Sequence, residues 1–310
     1  MKAVDFDKLA GNLRNWGRWG KEDQRGTLNH IDPAALCRGA AEVRAGKMFN
    51  LGINFDRNGP QDGSFRINPM LYVTALDQIM NPEQPRSRFS DDVVHMSLQC
   101  ATQWDALSHA HYDGALYNGF SADESLSTSG AANFGVEHLA KPGIASRGVL
   151  LDIAKLKGTD ILSPDTEIMP DDLNAACEAE GVSIESGDIV MVRTGWIGKF
   201  TQGGRESFSG LQPGLSPLCA EWLHEKNAAT VCSDNIAVEI VNAEMIGGEM
   251  AMALHMFCLR DMGMPLGEMF DFDALAADCA EDGQYTCMLA APPLAITNAF
   301  GSPINPVALK

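Results

Sequence analysis

A chain of 310 residues fits two average domains or one large α/β domain, and an apolar content of 45% is enough for a large core. Its 41 acidic residues outnumber 23 lysines and arginines, and the resulting charge of −18 excludes holding nucleic acid or an anionic membrane by bulk electrostatics. Residues 1–14 contain no uninterrupted apolar run, no later stretch reaches the roughly 18 apolar residues of a membrane span, and the eight cysteines form no Cys-x-x-Cys pair. These features predict a cytoplasmic protein with reduced core thiols.

Taken in chain order, Asp32 ahead of Pro33 predicts a capped helix over 33–45. Turn-rich stretches at 56–63 and 81–90 read as loops, and a strand follows at 93–104. Another loop at 121–130 leads to a short branched apolar strand at 148–153, then a helix over 170–180 closed by Gly181. A strand at 188–193, a loop at 202–214, a helix over 217–226 capped by Ser216 and a strand at 229–232 come next. Helices over 247–262, closed by Gly263, and over 271–280 complete the pattern. Strands and helices interleave and no biased linker separates them, so the class is α/β and one unit spans 1–310.

The segment from His95 to Gly114 carries the chemistry. On a strand, His95, Ser97, Gln99, Ala101, Gln103 and Asp105 share one face, with Met96, Leu98, Cys100, Thr102 and Trp104 on the other. The polar face ends in Gln103, Asp105, His109 and His111, all able to ligate a metal or move a proton. Spacing alone divides evenly between a metal site and residues that cap a turn. The chain contains no Gly-x-Ser-x-Gly elbow for a serine nucleophile.

At these residues the chain resembles the cyclase-like metal-dependent hydrolases that include bacterial kynurenine formamidase and isatin hydrolase. The family signature His-x-Gly-Thr-His-x-Asp-x-Pro-x-His is met by Thr102, Asp105 and His109, while Gln99, Ala101, Gln103 and Leu107 depart from it. Trp16-Gly-Arg18-Trp19, Gly26-Thr-Leu-Asn29, the strand from Gly148 to Asp152, Gly187-Asp188, Ser233-Asp234-Asn235, His255, Gly263, Gly267-Glu268 and Gly301-Ser-Pro303 extend the likeness in order along the chain. It reads as a long-form member with glutamine in a metal-ligand histidine position.

The resemblance implies a swivelling β/β/α fold, a mixed barrel-like sheet flanked by helices. It also implies cleavage of a C–N or C–O bond beside a carbonyl in a small cyclic amide, imide, lactone or N-acyl substrate. A divalent metal suits this reaction by polarising the carbonyl and lowering the pKa of bound water toward about 7. Asp105, His109 and Gln103 are the expected metal ligands. A carboxamide in place of imidazole makes the site harder, favouring Mn²⁺ over Zn²⁺. His111 is the expected general base, with His255 as proton shuttle or oxyanion donor and Glu268 beside it. The geometry allows that pairing, because about 10 Å of helix after His255 can be retraced by an extended 264–268 after Gly263.

Trp16, Arg18, Trp19 and Trp196 are the expected substrate contacts, and Phe65 and Tyr117 are further candidate aromatic walls. A homodimer or homotetramer is expected, with the extension 1–60, and 16–29 in particular, near a neighbour's site. Two other readings are a metal-dependent dehydratase or cyclase, and a fold that has lost its metal through the glutamine replacements and now binds a small ligand.

Overall fold

The computed structural model describes residues 3–310. In chain order its strands are β1 (Met48–Asn50), β2 (Met70–Ile79), β3 (Arg88–His95), β4 (Gln103–Asp105), β5 (Leu126–Ser127), β6 (Gly130–Ala131), β7 (Ala145–Asp152) and β8 (Glu167–Ile168). Then follow β9 (Ile189–Arg193), β10 (Gly214–Leu215), β11 (Thr230–Ser233), β12 (Leu266–Glu268), β13 (Thr286–Ala290), β14 (Gly301–Pro303) and β15 (Val307–Leu309). Nine of these form one mixed sheet in the order β1-β15-β13-β7-β9-β11-β12-β4-β14, curled into a half-barrel and flanked by helices. The α/β expectation and the barrel-like sheet are both met.

The three branched apolar runs read from the sequence are its parallel centre, β7, β9 and β11, buried on both faces as parallel strands are. Helix Pro170–Ala179 leads from β7 toward β9, and helix Cys219–Glu225 from β9 toward β11. Asp32 caps helix Pro33–Ala40 by accepting from the Ala35 N–H at 2.7 Å. Helix Cys219–Glu225 starts two residues beyond Pro217, and Ser216 instead accepts the Leu218 N–H. No described helix is long and apolar enough to cross a membrane.

Three expectations are corrected. The strand over 93–104 divides into the end of β3 and β4, with a turn at 98–99 and a bend at 100–102, so its alternation does not run unbroken from His95 to Asp105. The loop over 202–214 is mostly helix Ile197–Phe208, whose paired Gly203 and Gly204 hid it; Gly204, at φ 75°, breaks the helical conformation. The helix over 247–262 is a single turn Ala253–His255 running into a π-helix Met256–Met262, because Met252 at φ 53° interrupts what precedes it. The N-terminal segment is anchored on its own chain at three points. Trp16 Nε1 donates to Arg260 O at 2.9 Å, Thr27 N to Gly263 O at 2.8 Å, and Thr27 Oγ1 to Ala229 O at 2.7 Å.

Two glycines fix the path into the site. Gly263 adopts φ 68° to end the π-helix, with the Tyr117 ring against the side where a Cβ would stand. Gly267 lies beneath Trp104, and a Cβ there would come within 2.5 Å of both the Trp104 ring and Cys232 Cβ. Gly267→Ala is therefore expected to lower unfolding free energy by about 1–3 kcal/mol in denaturant titration, the usual cost of overpacking a core. A stability equal to the parent's would show that β12 is not seated as described.

Candidate metal centre and its cavity

Strand β4 is wholly buried between β12 and β14. Antiparallel pairing sets Glu268 opposite Gln103 and Leu266 opposite Asp105, and directly opposed residues share a face. Gln103, Asp105 and Glu268 therefore converge through the pleat itself. Trp104 faces the other way, donating its Nε1 hydrogen to Ala291 O at 2.7 Å. Gln103 Nε2 donates to Glu268 Oε2 at 2.5 Å and to Asp105 Oδ1 at 3.2 Å.

His255 enters from the start of the π-helical segment, and the reversal at Gly263 brings β12 back alongside it. Its Nε2 lies 3.3 Å from Glu268 Oε1 and 3.9 Å from Asp105 Oδ2. Nδ1 lies 2.5 Å from Glu239 Oε1, and the same carboxylate accepts the backbone N–H groups of Leu254 at 3.3 Å and His255 at 3.2 Å. Glu239 thus fixes both the ring and the start of its helix. Asn235 in turn donates to Glu239 O at 3.0 Å and accepts from Met269 N at 2.9 Å, tying that loop to the residue after Glu268. The neighbouring Asp234 is structural: burial pushes its carboxyl up to about 6 against hydrogen bonds from Thr194 and Gly195, which join the ends of β9 and β11.

Burial first, and then the charge of Glu268, push the Asp105 carboxyl well above its ordinary range. Burial works against a charged His255, but the hydrogen bonds and charges of Glu239 and Glu268 outweigh it and raise the imidazole to about 10. Without a metal, this ring is an imidazolium donating from both nitrogens. Burial pushes His109 the other way, to about 4, so it is neutral at neutral pH.

Donor atoms of Asp105, His255 and Glu268 all lie within 4.8 Å of one another, and all three residues are buried. Asp105 Oδ2 and Gln103 Oε1 are also buried and have no hydrogen-bond partner. Leaving such an atom unsatisfied costs about 1–3 kcal/mol, and more for a charged group. Two carboxylates, one of them with an unsatisfied oxygen, one imidazole and one unsatisfied amide oxygen are a donor set suited to a divalent cation.

A cavity of about 370 Å³ adjoins this cluster, within the usual range of roughly 300–1,000 Å³ for small-molecule sites. His109 lines it, with Nε2 3.7 Å from Asp105 Oδ1, and so does Arg66, with Nη1 3.9 Å from Glu268 Oε2. Phe65 and Phe300 supply aromatic surface, and His111 lines the cavity with a buried Nδ1 that has no partner.

The structure thus brings Gln103, Asp105, His255 and Glu268 together and puts His109 and His111 on the cavity wall. His255, expected as a proton shuttle, stands in the donor cluster, whereas His109, expected as a ligand, stands at its edge. Trp16, Arg18, Trp19 and Trp196 do not line the cavity. Trp16 lies against Arg260, Arg18 is bonded to Asn15 and Asn227, and Trp19 packs on His30. Trp196 is core, donating to Phe208 O at 3.0 Å, and Tyr117 is core under Gly263.

Sequence reading missed Glu239, Asn235 as its tether, and Arg66. Glu239 did leave a signal, being a lone carboxylate within the apolar run Ile236-Ala-Val-Glu-Ile-Val. Arg66 lies in a turn-rich stretch with no pattern to mark it.

Comparison with known proteins found a match of residues 42–240 to the Cyclase family model. A solved structure described as a novel cyclase is 37% identical, with 96% of this chain and 99% of that chain covered and a TM-score of 0.87. Isatin hydrolase A from Labrenzia aggregata, bound to benzyl benzoate, is 17% identical over 91% of this chain and 98% of its own, with a TM-score of 0.63. An isatin hydrolase bound to the product analogue thioisatinate is 20% identical over 89% of this chain and 98% of its own, also at 0.63. No curated protein matched.

Proposed function

The chain belongs to the cyclase family, and from that premise we propose that it is a metal-dependent hydrolase of a small cyclic amide, imide, lactone or N-acyl compound. The observation that carries this reading is the buried donor cluster Asp105, Glu268 and His255, with an unsatisfied Asp105 oxygen, beside a cavity of small-molecule size. Asp105, Glu268 and His255 would hold the cation, Gln103 has a carbonyl oxygen free to join them, and His109 is close enough to be a further donor. When bound, a divalent cation polarises a substrate carbonyl and acidifies water enough to ionise near neutral pH.

The chain's own groups then supply orientation and proton movement. Glu239 holds the His255 ring with Nδ1 engaged, leaving Nε2 toward the two carboxylates. His111 lines the cavity and carries an unpartnered nitrogen, and it is the group assigned to accept a proton and return it to the leaving nitrogen or oxygen. Arg66 offers the cavity a fixed positive charge for the oxyanion that develops on the carbonyl, a part expected of His255 from the sequence. Phe65 and Phe300 suit a flat ring. The hard donor set favours Mn²⁺, with Zn²⁺ as the alternative.

The direct test is a panel of cyclic amides, imides, lactones and N-acyl compounds, assayed with Mn²⁺ and with chelator. Metal-dependent formation of a product one water heavier supports hydrolysis. A product one water lighter would establish a dehydratase or cyclase, and no turnover with any added metal would sink both.

A proton balance gives a second test. His255 is raised to about 10 when no metal is present, yet a ligating imidazole must be neutral. Metal uptake at pH 7 is therefore expected to release at least one proton, with a second wherever the raised Asp105 carboxyl is also protonated, and apparent affinity to rise below pH 10 by about tenfold per pH unit for each proton released. Calorimetry in buffers of different ionisation enthalpy measures this, and an affinity independent of pH would contradict the assignment of His255.

One observation favours the metal-free reading. The Gln103 amide already bonds both Asp105 and Glu268, placing a neutral donor where a cation would be expected. Under that reading the protein is unaffected by chelator and takes up no metal.

A further inference from the structure

Most polar side chains of the cavity are already committed within the chain. Ser97 Oγ accepts the Ile67 N–H at 3.0 Å, and Ser108 Oγ donates to Phe134 O at 2.9 Å. Arg66 Nη1 donates to the backbone oxygen of Gln99 at 3.1 Å and lies near Glu268. His109 lies against Asp105, and His111 is the group assigned to move the proton. The Gln99 carboxamide differs from all of these. It lines the cavity half-buried, and no described residue hydrogen-bonds either end of it.

Gly301 makes room for it. On β14, Gly301 pairs directly opposite Asp105, so a side chain there would share the face that carries the donor cluster. Gly301 has none, and Gln99 Nε2 stands 2.7 Å from where its Cβ would be. The carboxamide thus fills that place, on the cluster's side of the sheet, while Phe65 and Phe300 supply the aromatic part of the cavity wall. Gln99 is also one of the positions at which the chain departs from the family signature.

A carboxamide offers an N–H donor and a carbonyl acceptor side by side. Its complement is a group that presents an acceptor beside a donor. A small ring holds its amide cis, with C=O and N–H toward one side, whereas an open-chain secondary amide is trans and points them apart. A lactone sets two oxygens there, which leaves the glutamine oxygen facing an acceptor. A cyclic imide meets the pattern and keeps a second carbonyl, beyond its N–H, free to face the donor cluster.

Building on the hydrolase reading, we propose that Gln99 selects the substrate, a cyclic imide with a free ring N–H held by paired hydrogen bonds to this carboxamide, over lactones and open-chain N-acyl compounds. Water adds across the C–N bond at the free carbonyl. Its oxygen joins the carbonyl carbon, and the ring nitrogen leaves with the hydrogen it held and takes a second. The product is an open-chain primary amide that carries a carboxyl group.

The test is equilibrium binding in chelator, which does not depend on turnover, beside turnover with Mn²⁺. Phthalimide, N-methylphthalimide and phthalide share a flat fused ring and differ at the N–H. Wild type is expected to bind phthalimide at least about tenfold more tightly than either of the others, the effect of leaving a polar group without its partner. In Gln99→Leu, affinity for phthalimide should fall at least about tenfold, while affinity for phthalide changes less than about threefold. The ratio of kcat/KM for phthalimide to that for phthalide should fall by a similar factor, a comparison between variants that cancels the intrinsic reactivity of the two rings. Turnover at a ratio unchanged by Gln99→Leu would overturn the proposal and leave the hydrolase reading standing. Binding that discriminates as expected, with no turnover of any probe, would support Gln99 as the reader of the imide and remove the hydrolase reading. Should Gln99→Leu not fold, wild type alone decides, and N-methylphthalimide bound as tightly as phthalimide overturns the proposal.

Discussion

Asp105→Asn is expected to abolish retained metal and to cut turnover by more than about 100-fold, beyond the 10–100-fold typical of residues that merely orient a metal ligand. The same change is expected to leave the metal-free protein at least as stable as the parent. Asp105 is fully buried, and its charge is disfavoured first by burial and then by Glu268. An isosteric amide removes that repulsion and can still accept from Gln103 Nε2, now 3.2 Å from Oδ1. Function and stability therefore move in opposite directions, as they do where a site is kept for chemistry and not for folding. Thermal unfolding in chelator and turnover with added Mn²⁺ measure the two halves. Full activity would remove Asp105 from the site, and a large loss of metal-free stability would make it structural.

The larger effect on stability belongs to Glu239. Removing it by Glu239→Ala takes away the acceptor of His255 Nδ1 and of two backbone N–H groups, all buried. Breaking a buried pair from one side typically costs about 3–5 kcal/mol, because the other charge is left uncompensated. The pH dependence has a definite sign. His255 is raised by its carboxylate partners, so the stability they confer is complete below the imidazole's ordinary pKa of about 6.5 and is lost as pH rises through about 10. The gap between parent and Glu239→Ala in urea unfolding should therefore narrow from pH 7 toward pH 10. Glu239→Gln keeps an acceptor for the backbone and should recover part of the loss. An equal gap at both pH values would mean that Glu239 acts by packing alone.

Local alternation was enough to place Gln103 and Asp105 on one face, since both lie within the three residues of β4. Chain-length arithmetic also brought Glu268 back to His255, because a glycine reversal leaves a short segment few other routes. The buried parallel strands were legible for a similar reason: burial on both faces demands unbroken branched apolar runs. What escaped was set by distant partners. His255 belongs to the donor cluster through the pairing of β12 with β4, which no sequence spacing encodes. The aromatic residues 16, 19 and 196 look alike in sequence whether they face a substrate or a core, and the fold placed them away from the cavity. The β2–β3 ribbon escaped because both faces mix large apolar side chains with carboxylates, Asp92 opposite Val73 and Asp91 opposite Ala75, so neither marks an interior.

The central claim is that Asp105, Glu268 and His255 hold one divalent cation. It is tested most directly by elemental analysis of protein loaded with Mn²⁺ and then desalted. About one equivalent per chain is expected in the parent, matching a single cluster of three donors, and none in Asp105→Asn. Less than about a tenth of an equivalent of any transition metal in the parent would contradict the account, since such a donor set should retain its ion.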